Sequence, residues 1–278
     1  MNADERLWEE LRAVGLNSIE DLTVEEALLL VKRYAVWIPV EAYVSAPWLA
    51  PFARRRIRIR EDARVGGEKR DMWGFPDYRG YFSDDNSLIK AIHKGKRVIP
   101  TTSPYADSKL SGGMICCHVW PDTTKKPLLF SFVPNLVWLP KSLAPLSDNH
   151  GSDAPHPVHD YLKGVSVGRF FSQIVAVGSQ RVARAWDELG SAQILPILDP
   201  SNELSDATKL VRLSTGRISR HVKFLDEVLN GSKQPSRFSK RYHAGVGKGF
   251  DPSFPPIDKA VPTPVLRELL REMGDCRE

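Results

Sequence analysis

The sequence predicts an α+β fold, on three observations. Near the N-terminus, Leu7, Trp8, Leu11 and Val14 recur at the spacing of an amphipathic helix. Residues 56–60 alternate arginine and isoleucine, as a strand with one apolar and one cationic face does. In the middle of the chain, two apolar strand candidates flank a polar turn and precede a short helix candidate. We therefore expect helices and short strands in a mixed domain, with a strand–strand–helix element near its centre.

The N-terminal region, residues 1–45, is predicted to be helical. A first helix covers residues 4–14, and Gly15 suits its C-terminal stop. Thr23 and Glu26 have the spacing of a capping box, so a second helix is expected from Ala27 to Tyr34.

Composition excludes several classes of protein. The 278 residues are 42% hydrophobic, which is ordinary for a folded domain. No apolar run reaches the ~18 residues that span a bilayer, and the acidic N-terminus lacks the pattern of a secretory signal. A cytoplasmic protein without a membrane partner is therefore expected. Three cysteines without a Cys-x-x-Cys pair do not predict a disulfide framework.

Positive charge is concentrated in two segments, although the net charge is only +5. Clustered arginines and lysines are typical of proteins that bind a polyanion, and arginine binds phosphate in a bidentate manner. A solvated basic surface is the alternative for either segment. The candidate DNA-binding residues are Arg54, Arg55, Arg56, Arg58 and Arg60 in the first segment, and Arg217, Arg220, Lys223, Arg237, Lys240 and Arg241 in the second.

The stretch from Met114 to Asp148 contains the residue types of a hydrolytic site. An apolar strand candidate ends at His118, a second begins at Asn135, and a short helix candidate follows and carries Asp148. An imidazole ordinarily titrates at a pKa of about 6.5 and can accept a proton from water. A fixed amide can hold such a ring in place, and a carboxylate suits Mg²⁺ or Mn²⁺. A histidine satisfied within an apolar core is the alternative interpretation.

These residues resemble a known superfamily. Cys-His-Val-Trp at 117–120, followed by Asn-Leu-Val-Trp-Leu-Pro at 135–140, is similar to the ββα-metal module of HNH endonucleases, as found in bacterial restriction-type nucleases. The resemblance implies DNA cleavage with one metal ion. It implies that His118 is the general base and that Asn135 holds the loop and the imidazole.

The sequence also departs from the HNH pattern. Cys117 stands where the family usually has an acid or a histidine, and a thiolate there would favour Zn²⁺ over Mg²⁺. Ala144 stands near the third position of the motif and cannot bind metal, whereas Asp148 lies one helical turn later. A helix that starts at Ser142 would accommodate Pro145. The residues that could complete the coordination are not ranked by spacing: Asp84, Asp85, Asp122 and His150.

The predicted organisation has three parts. The helical region 1–45 precedes residues 46–160, which hold the arginine-rich segment and the nuclease core at 114–150. Residues 161–278 are expected to form a mainly helical, basic DNA-binding region. We predict largely helical structure over 158–188, with a buried stripe of Phe170, Phe171, Ile174 and Val175. A short strand is predicted from Ile194 to Leu198. Two further helices are predicted, from His221 to Leu229 and from Thr263 to Met273.

Three functions follow from these patterns. The first is a metal-dependent HNH-type endonuclease of restriction or defence, acting on double-stranded DNA and dimeric if its target is palindromic. The second is a DNA- or RNA-binding protein in which the strand–strand–helix element is only structural. The third is a nuclease with an Asp and Glu-x-Lys site, for which Asp77 or Asp122 could supply the first carboxylate.

Overall fold

The structure is a computed structural model. It describes residues 2–49, 54–56, 81–83, 98–99, 113–121, 123, 126, 128–147, 157–199, 202–204 and 207–230. Within these ranges, the strand 54–56 and the helical positions 217 and 220 are described for the backbone alone. Two predicted elements lie outside the described residues: the part of the arginine strand that follows Arg56, and the helix from Thr263 to Met273. The predicted site residues outside them are Arg58, Arg60, Asp77, Asp84, Asp85, Asp122, Asp148, His150, Arg237, Lys240 and Arg241.

Two capped helices open the chain. Helix α1 covers Ala3–Ala13, and helix α2 covers Val24–Tyr34. The predicted capping box of α2 is present: Thr23 Oγ1 accepts from the Glu26 amide at 3.2 Å, while Glu26 Oε2 accepts from the Thr23 amide at 2.8 Å. The Thr23 amide and the Thr23 hydroxyl, the latter at 2.9 Å, both donate to the Glu26 carboxylate and hold the pKa of Glu26 below its usual value.

The strands form one mixed sheet and one separate pair. Their bounds are β1 Val36–Trp37, β2 Arg54–Arg56, β3 Tyr81–Ser83, β4 Val98–Ile99, β5 Met114–His118, β6 Leu136–Pro140 and β7 Asn202–Leu204. The five-stranded sheet has the order β4-β7-β1-β6-β5, and β2 pairs with β3. Its pairs are antiparallel except β1 with β7, which is parallel. Strands from all three predicted regions thus join a single sheet.

Five further α-helices lie in the described part of the chain. They are α3 Val40–Ser45, α4 Pro157–Phe170, α5 Ile174–Val177, α6 Gln180–Glu188 and α7 Ala207–Leu229. The Ser166 hydroxyl of α4 donates to the Pro134 carbonyl at 2.6 Å, so α4 packs against the start of β6. None of the described helices is both long and apolar enough to cross a membrane.

Strands β5 and β6 form the predicted antiparallel pair, in register from Met114 opposite Pro140 to His118 opposite Leu136. Helix α1 supports the far end of this hairpin: Asp4 Oδ1 accepts from the Ser142 amide, and Trp8 Nε1 donates to the Ser142 hydroxyl, each at 2.8 Å. The structure therefore confirms the α+β class.

Three local predictions are corrected. Asn135 ends a 3-10 turn, Val133–Asn135, and β6 begins one residue later. The segment after Ser142 forms a 3-10 turn at Ala144–Leu146 and not an α-helix from Ser142. A third difference is that α7 is one continuous helix of 23 residues, where a helix only from His221 was predicted.

The predicted stripe and strand after α4 are also wrong. A 3-10 turn at Phe171–Gln173 breaks the helix and rotates its faces, so Phe170 is buried while Val175 is 89% exposed. The segment from Ile194 to Leu198 is not a strand, because its backbone bonds to a helix: the Ile197 amide donates to the Gly164 carbonyl at 2.8 Å.

Candidate active site

His118 lies at the end of β5, where that strand pairs with the start of β6. Its side chain is buried, with 5% of its surface exposed, and the ring lies 6.1 Å from the Phe130 ring. Its Nε2 donates to the Phe130 main-chain carbonyl at 2.9 Å. Since a carbonyl can only accept, Nε2 carries a hydrogen, and the lone pair of the neutral ring is then on Nδ1.

Asn135 holds the loop that connects β5 to β6. The side chain is completely buried, and its Oδ1 accepts from the Trp120 amide at 3.0 Å. Its Nδ2 donates to the Thr123 hydroxyl at 2.8 Å and to the Leu129 carbonyl at 2.9 Å. One carboxamide thus fixes both ends of the loop, because Trp120 follows the first strand and Leu129 precedes the carbonyl that holds His118.

The segment 47–49, which follows helix α3, also binds this loop. The Leu49 amide donates to the Ser131 carbonyl at 3.0 Å, and Trp48 Nε1 donates to the Leu128 carbonyl at 2.8 Å. The Val133 amide in turn donates to the Pro47 carbonyl at 2.8 Å. Main chain on each side of Phe130 is therefore bound to the segment 47–49, which restricts movement of its carbonyl.

Aromatic rings, including one from helix α6, pack against this loop. Trp186 of α6 contacts the rings of Trp120 and Phe132 edge to face. Its Nε1 donates to the Tyr43 hydroxyl at 2.9 Å, and burial raises the pKa of Tyr43 to about 12. The Arg181 guanidinium lies 4.4 Å from the centre of the Trp48 ring, a cation–π geometry. Rigid packing therefore continues from the loop into the core.

Cys117, the other predicted metal ligand of β5, is buried, and its Sγ lies 3.8 Å from the Ile115 carbonyl. Alternation along β5 places it on the sheet face opposite Cys116 and His118. Within the part of the chain that the structure describes, no group of three His, Cys, Asp or Glu side chains could hold a metal ion. Asp148, which follows the described Ser147, is outside that part.

Two side chains at or near the hairpin were not singled out from the sequence. Thr123 is buried inside the loop network. His159, in the first turn of α4, is buried as well, and its Nε2 donates to the Ser147 carbonyl at 2.8 Å. No spacing rule marks either residue, because each acquires its partners only through the fold.

The predicted DNA-binding residues are described only in part. Lys223 is exposed on α7, with its Nζ 3.8 Å from Glu227. Arg54, Arg55 and Arg56 form β2, which pairs with β3, and positions 217 and 220 belong to α7. The structure thus puts the basic positions of 217–223 on one helix, and does not describe the side chains of the five arginines.

Comparisons with protein-family models, with curated proteins and with solved structures found no match.

Proposed function

We propose that this chain is a metal-dependent DNA endonuclease of the HNH type, with His118 as its general base. The observation that carries the proposal is the support of the imidazole. Nε2 of His118 is committed to the Phe130 carbonyl, and the main chain around that carbonyl is bound by Asn135 on one side and by the segment 47–49 on the other. A ring held in one tautomer and one orientation suits a general base.

In the proposed reaction, Nδ1 of His118 takes one proton from a water molecule while the water oxygen attacks phosphorus. The phosphorus–oxygen bond on the opposite side breaks, and the departing oxygen takes a proton from solvent. The Phe130 carbonyl accepts from Nε2 throughout, and so stabilises the imidazolium that forms. Asn135 does not contact the reacting atoms in this scheme. It keeps the loop, and with it that carbonyl, in place.

The proposal includes one bound Mg²⁺ or Mn²⁺, with Zn²⁺ the weaker candidate. Such an ion would relieve the negative charge of the phosphate and stabilise the leaving oxygen. Asp148 offers the hard oxygen ligand that these ions prefer. The sulfur of Cys117 would suit zinc, but it lies on the sheet face opposite His118 and is not part of the proposed site. The part of the chain that the structure describes holds no complete ligand set.

Helix α7 supports double-stranded DNA as the substrate. Its exposed residues include Lys209, Arg212 and Lys223, while Leu210, Ser214, Ile218 and Val222 face the interior. A helix with buried apolar residues on one side and cations on another can lie along a phosphate backbone. We propose Arg217 and Arg220, which belong to the same helix, as further DNA contacts. The proposal further includes a cytoplasmic restriction or defence enzyme, acting as a homodimer on a palindromic target.

Cleavage by the purified full-length chain tests the proposal. Plasmid DNA with Mg²⁺ or Mn²⁺ should be nicked or cut, and EDTA should stop the reaction. His118→Ala should lower the rate by about 10²–10⁴, the range for loss of a general base, and should leave DNA affinity unchanged. Cleavage by His118→Ala at the rate of the original protein would exclude this site.

A non-catalytic DNA- or RNA-binding module is the second candidate. The deep burial of His118 and the lack of a metal-ligating group among the described residues favour it. It predicts binding with a steep dependence on salt and no cleavage with any divalent ion. If cleavage occurs but survives in His118→Ala and is lost in Asp77→Ala, the Asp and Glu-x-Lys class becomes the better assignment.

A further inference from the structure

The hydroxyl of Thr123 connects the two ends of the loop between β5 and β6. The residue is 3% exposed and lies between the two strands of the hairpin in sequence. Its Oγ1 donates to the Trp120 carbonyl at 2.7 Å and accepts from Asn135 Nδ2 at 2.8 Å. The Thr123 carbonyl also accepts from the Lys126 amide at 3.1 Å. The hydroxyl thus uses its hydrogen and a lone pair on two groups of the same network.

This hydroxyl is one of three partners that fix which way the Asn135 carboxamide faces. An amide has one oxygen that accepts and one nitrogen that donates. Oδ1 faces the Trp120 N–H, and Nδ2 faces both the Leu129 carbonyl and Thr123. Because the Thr123 hydrogen is donated to Trp120, its oxygen can only accept from Asn135. The reversed amide would therefore set the oxygen of Asn135 against two acceptors and its nitrogen against a donor.

The carboxamide in turn fixes the acceptor of the imidazole. Asn135 holds the Leu129 carbonyl, and the next carbonyl along the chain, that of Phe130, accepts from His118 Nε2 at 2.9 Å. The Phe130 amide donates to the Lys126 carbonyl at 2.9 Å, and Lys126 is bonded back to Thr123. The hydroxyl of Thr123 is therefore connected to the acceptor of His118 through Asn135, while the route through Lys126 starts at the Thr123 main-chain carbonyl and does not involve the hydroxyl.

We infer that Thr123 is a positioning residue, whose hydroxyl helps to hold the loop that carries the Phe130 carbonyl and thereby maintains His118 as the Nε2–H tautomer, in which Nδ1 carries the lone pair. The inference rests on the proposed function for its effect on cleavage, but its effect on the imidazole is independent of activity. Thr123 does not touch the reacting atoms. It acts on His118 through the hydrogen bonds that orient the loop.

The decisive variants are Thr123→Val, which keeps the shape and removes the hydroxyl, and Thr123→Ser, which keeps the hydroxyl. The tautomer of His118 is read from the ¹⁵N shifts of its ring nitrogens. We expect the original protein and Thr123→Ser to show the Nε2–H form, and Thr123→Val to show a mixture. In cleavage assays, Thr123→Val should lower kcat about tenfold or more with KM within about threefold, and Thr123→Ser should restore most of the rate.

Ser166→Ala is the matched control. Its hydroxyl is likewise buried and donates to a nearby carbonyl, that of Pro134, but it is outside the Asn135 network. This variant should lose stability and keep both the His118 tautomer and kcat. If Thr123→Val does not fold, the original protein still decides the matter. Its Asn135 side-chain amide and Trp120 amide hydrogens should exchange with solvent together with the His118 Nε2 hydrogen.

The possible results separate the two proposals. An unchanged ring spectrum and unchanged kcat in Thr123→Val would overturn the role of Thr123 and leave the nuclease intact. A changed ring spectrum in a protein that never cuts DNA would support Thr123 and overturn the nuclease. Independent exchange of the three hydrogens in the original protein would contradict a shared network.

Discussion

His118 and His159 share one local arrangement and differ in what surrounds it. Both imidazoles are buried, and in both Nε2 donates to a main-chain carbonyl at 2.8–2.9 Å. The acceptor of His118 belongs to a loop whose bonds converge on Asn135. The acceptor of His159 belongs to Ser147, whose hydroxyl is used by its own turn, on the Ala144 carbonyl at 2.8 Å. A pinned imidazole is thus not itself a functional sign, and the network behind the acceptor distinguishes the two.

The largest effect should come from exchanging each histidine for alanine. His118→Ala should reduce cleavage by about 10²–10⁴. His159→Ala should cut at nearly the original rate and lose about 1–3 kcal/mol of stability, because the first turn of α4 loses its bond to the Ser147 carbonyl. Cleavage rates at a temperature where both variants are folded, and urea denaturation, provide the two measurements. Equal losses of activity in the two variants would mean that the network around His118 does not give this histidine a catalytic role that His159 lacks.

The second comparison concerns two buried carboxamides. Asn135→Ala removes three bonds from buried partners and should cost about 3–5 kcal/mol, together with most of the cleavage activity. Asn202, in β7, donates to the Arg33 and Ala35 carbonyls at 2.9 and 3.4 Å, far along the sheet from β5. Asn202→Ala should cost about 1–3 kcal/mol and spare activity. Activity that follows stability in both variants would make Asn135 merely structural.

Local sequence patterns predicted the two strands of the hairpin. They did not predict the hydrogen bonds of the loop between the strands, because those bonds form only in the folded chain. The strand ending at His118 was predicted because apolar residues and a following polar turn are local features. One partner of Thr123 is not local in this sense, because Asn135 lies twelve residues away, in the 3-10 turn before β6. The acceptor of His118 is a main-chain carbonyl, which no residue type can signal. Asp148, the predicted metal ligand, remains a prediction, since it lies outside the described residues.

The incorrect strand from Ile194 to Leu198 has a specific physical cause. Its apolar residues suit a strand, yet the segment crosses α4 at Gly164 and Gly168. A Cβ at position 168 would lie 2.3 Å from the Ile197 carbonyl oxygen, so glycine there is what permits the backbone to approach the helix. A pair of glycines four residues apart on a helix was the available sign, and it indicates close contact without naming the segment that makes it.

Alkaline pH should lower the free energy of unfolding through Tyr43, which belongs to the aromatic core and not to the loop. Burial raises the pKa of Tyr43 to about 12, whereas an unfolded tyrosine titrates near pH 10. Between these values the unfolded chain has released the proton and the folded chain has kept it, so stability falls as pH rises. The loss should be about 2–3 kcal/mol, since each tenfold change in proton affinity is about 1.4 kcal/mol. In Tyr43→Phe the fall from pH 10 to pH 12 should be shallower, as measured by urea denaturation, and an equal fall would assign it to other groups.

The smallest effect should come from the ion pair between the loop and α6. Lys126 Nζ lies 3.1 Å from Glu188 Oε1, and both side chains are at least one-third exposed, at 46% and 36%. Exposed pairs contribute between about 0 and 1 kcal/mol, because water and salt screen the charges. Glu188→Gln should therefore change stability by less than about 1 kcal/mol and leave the His118 ring spectrum as it was. A loss approaching that of Asn135→Ala would mean that surface charge, and not the buried carboxamide, holds the loop in place.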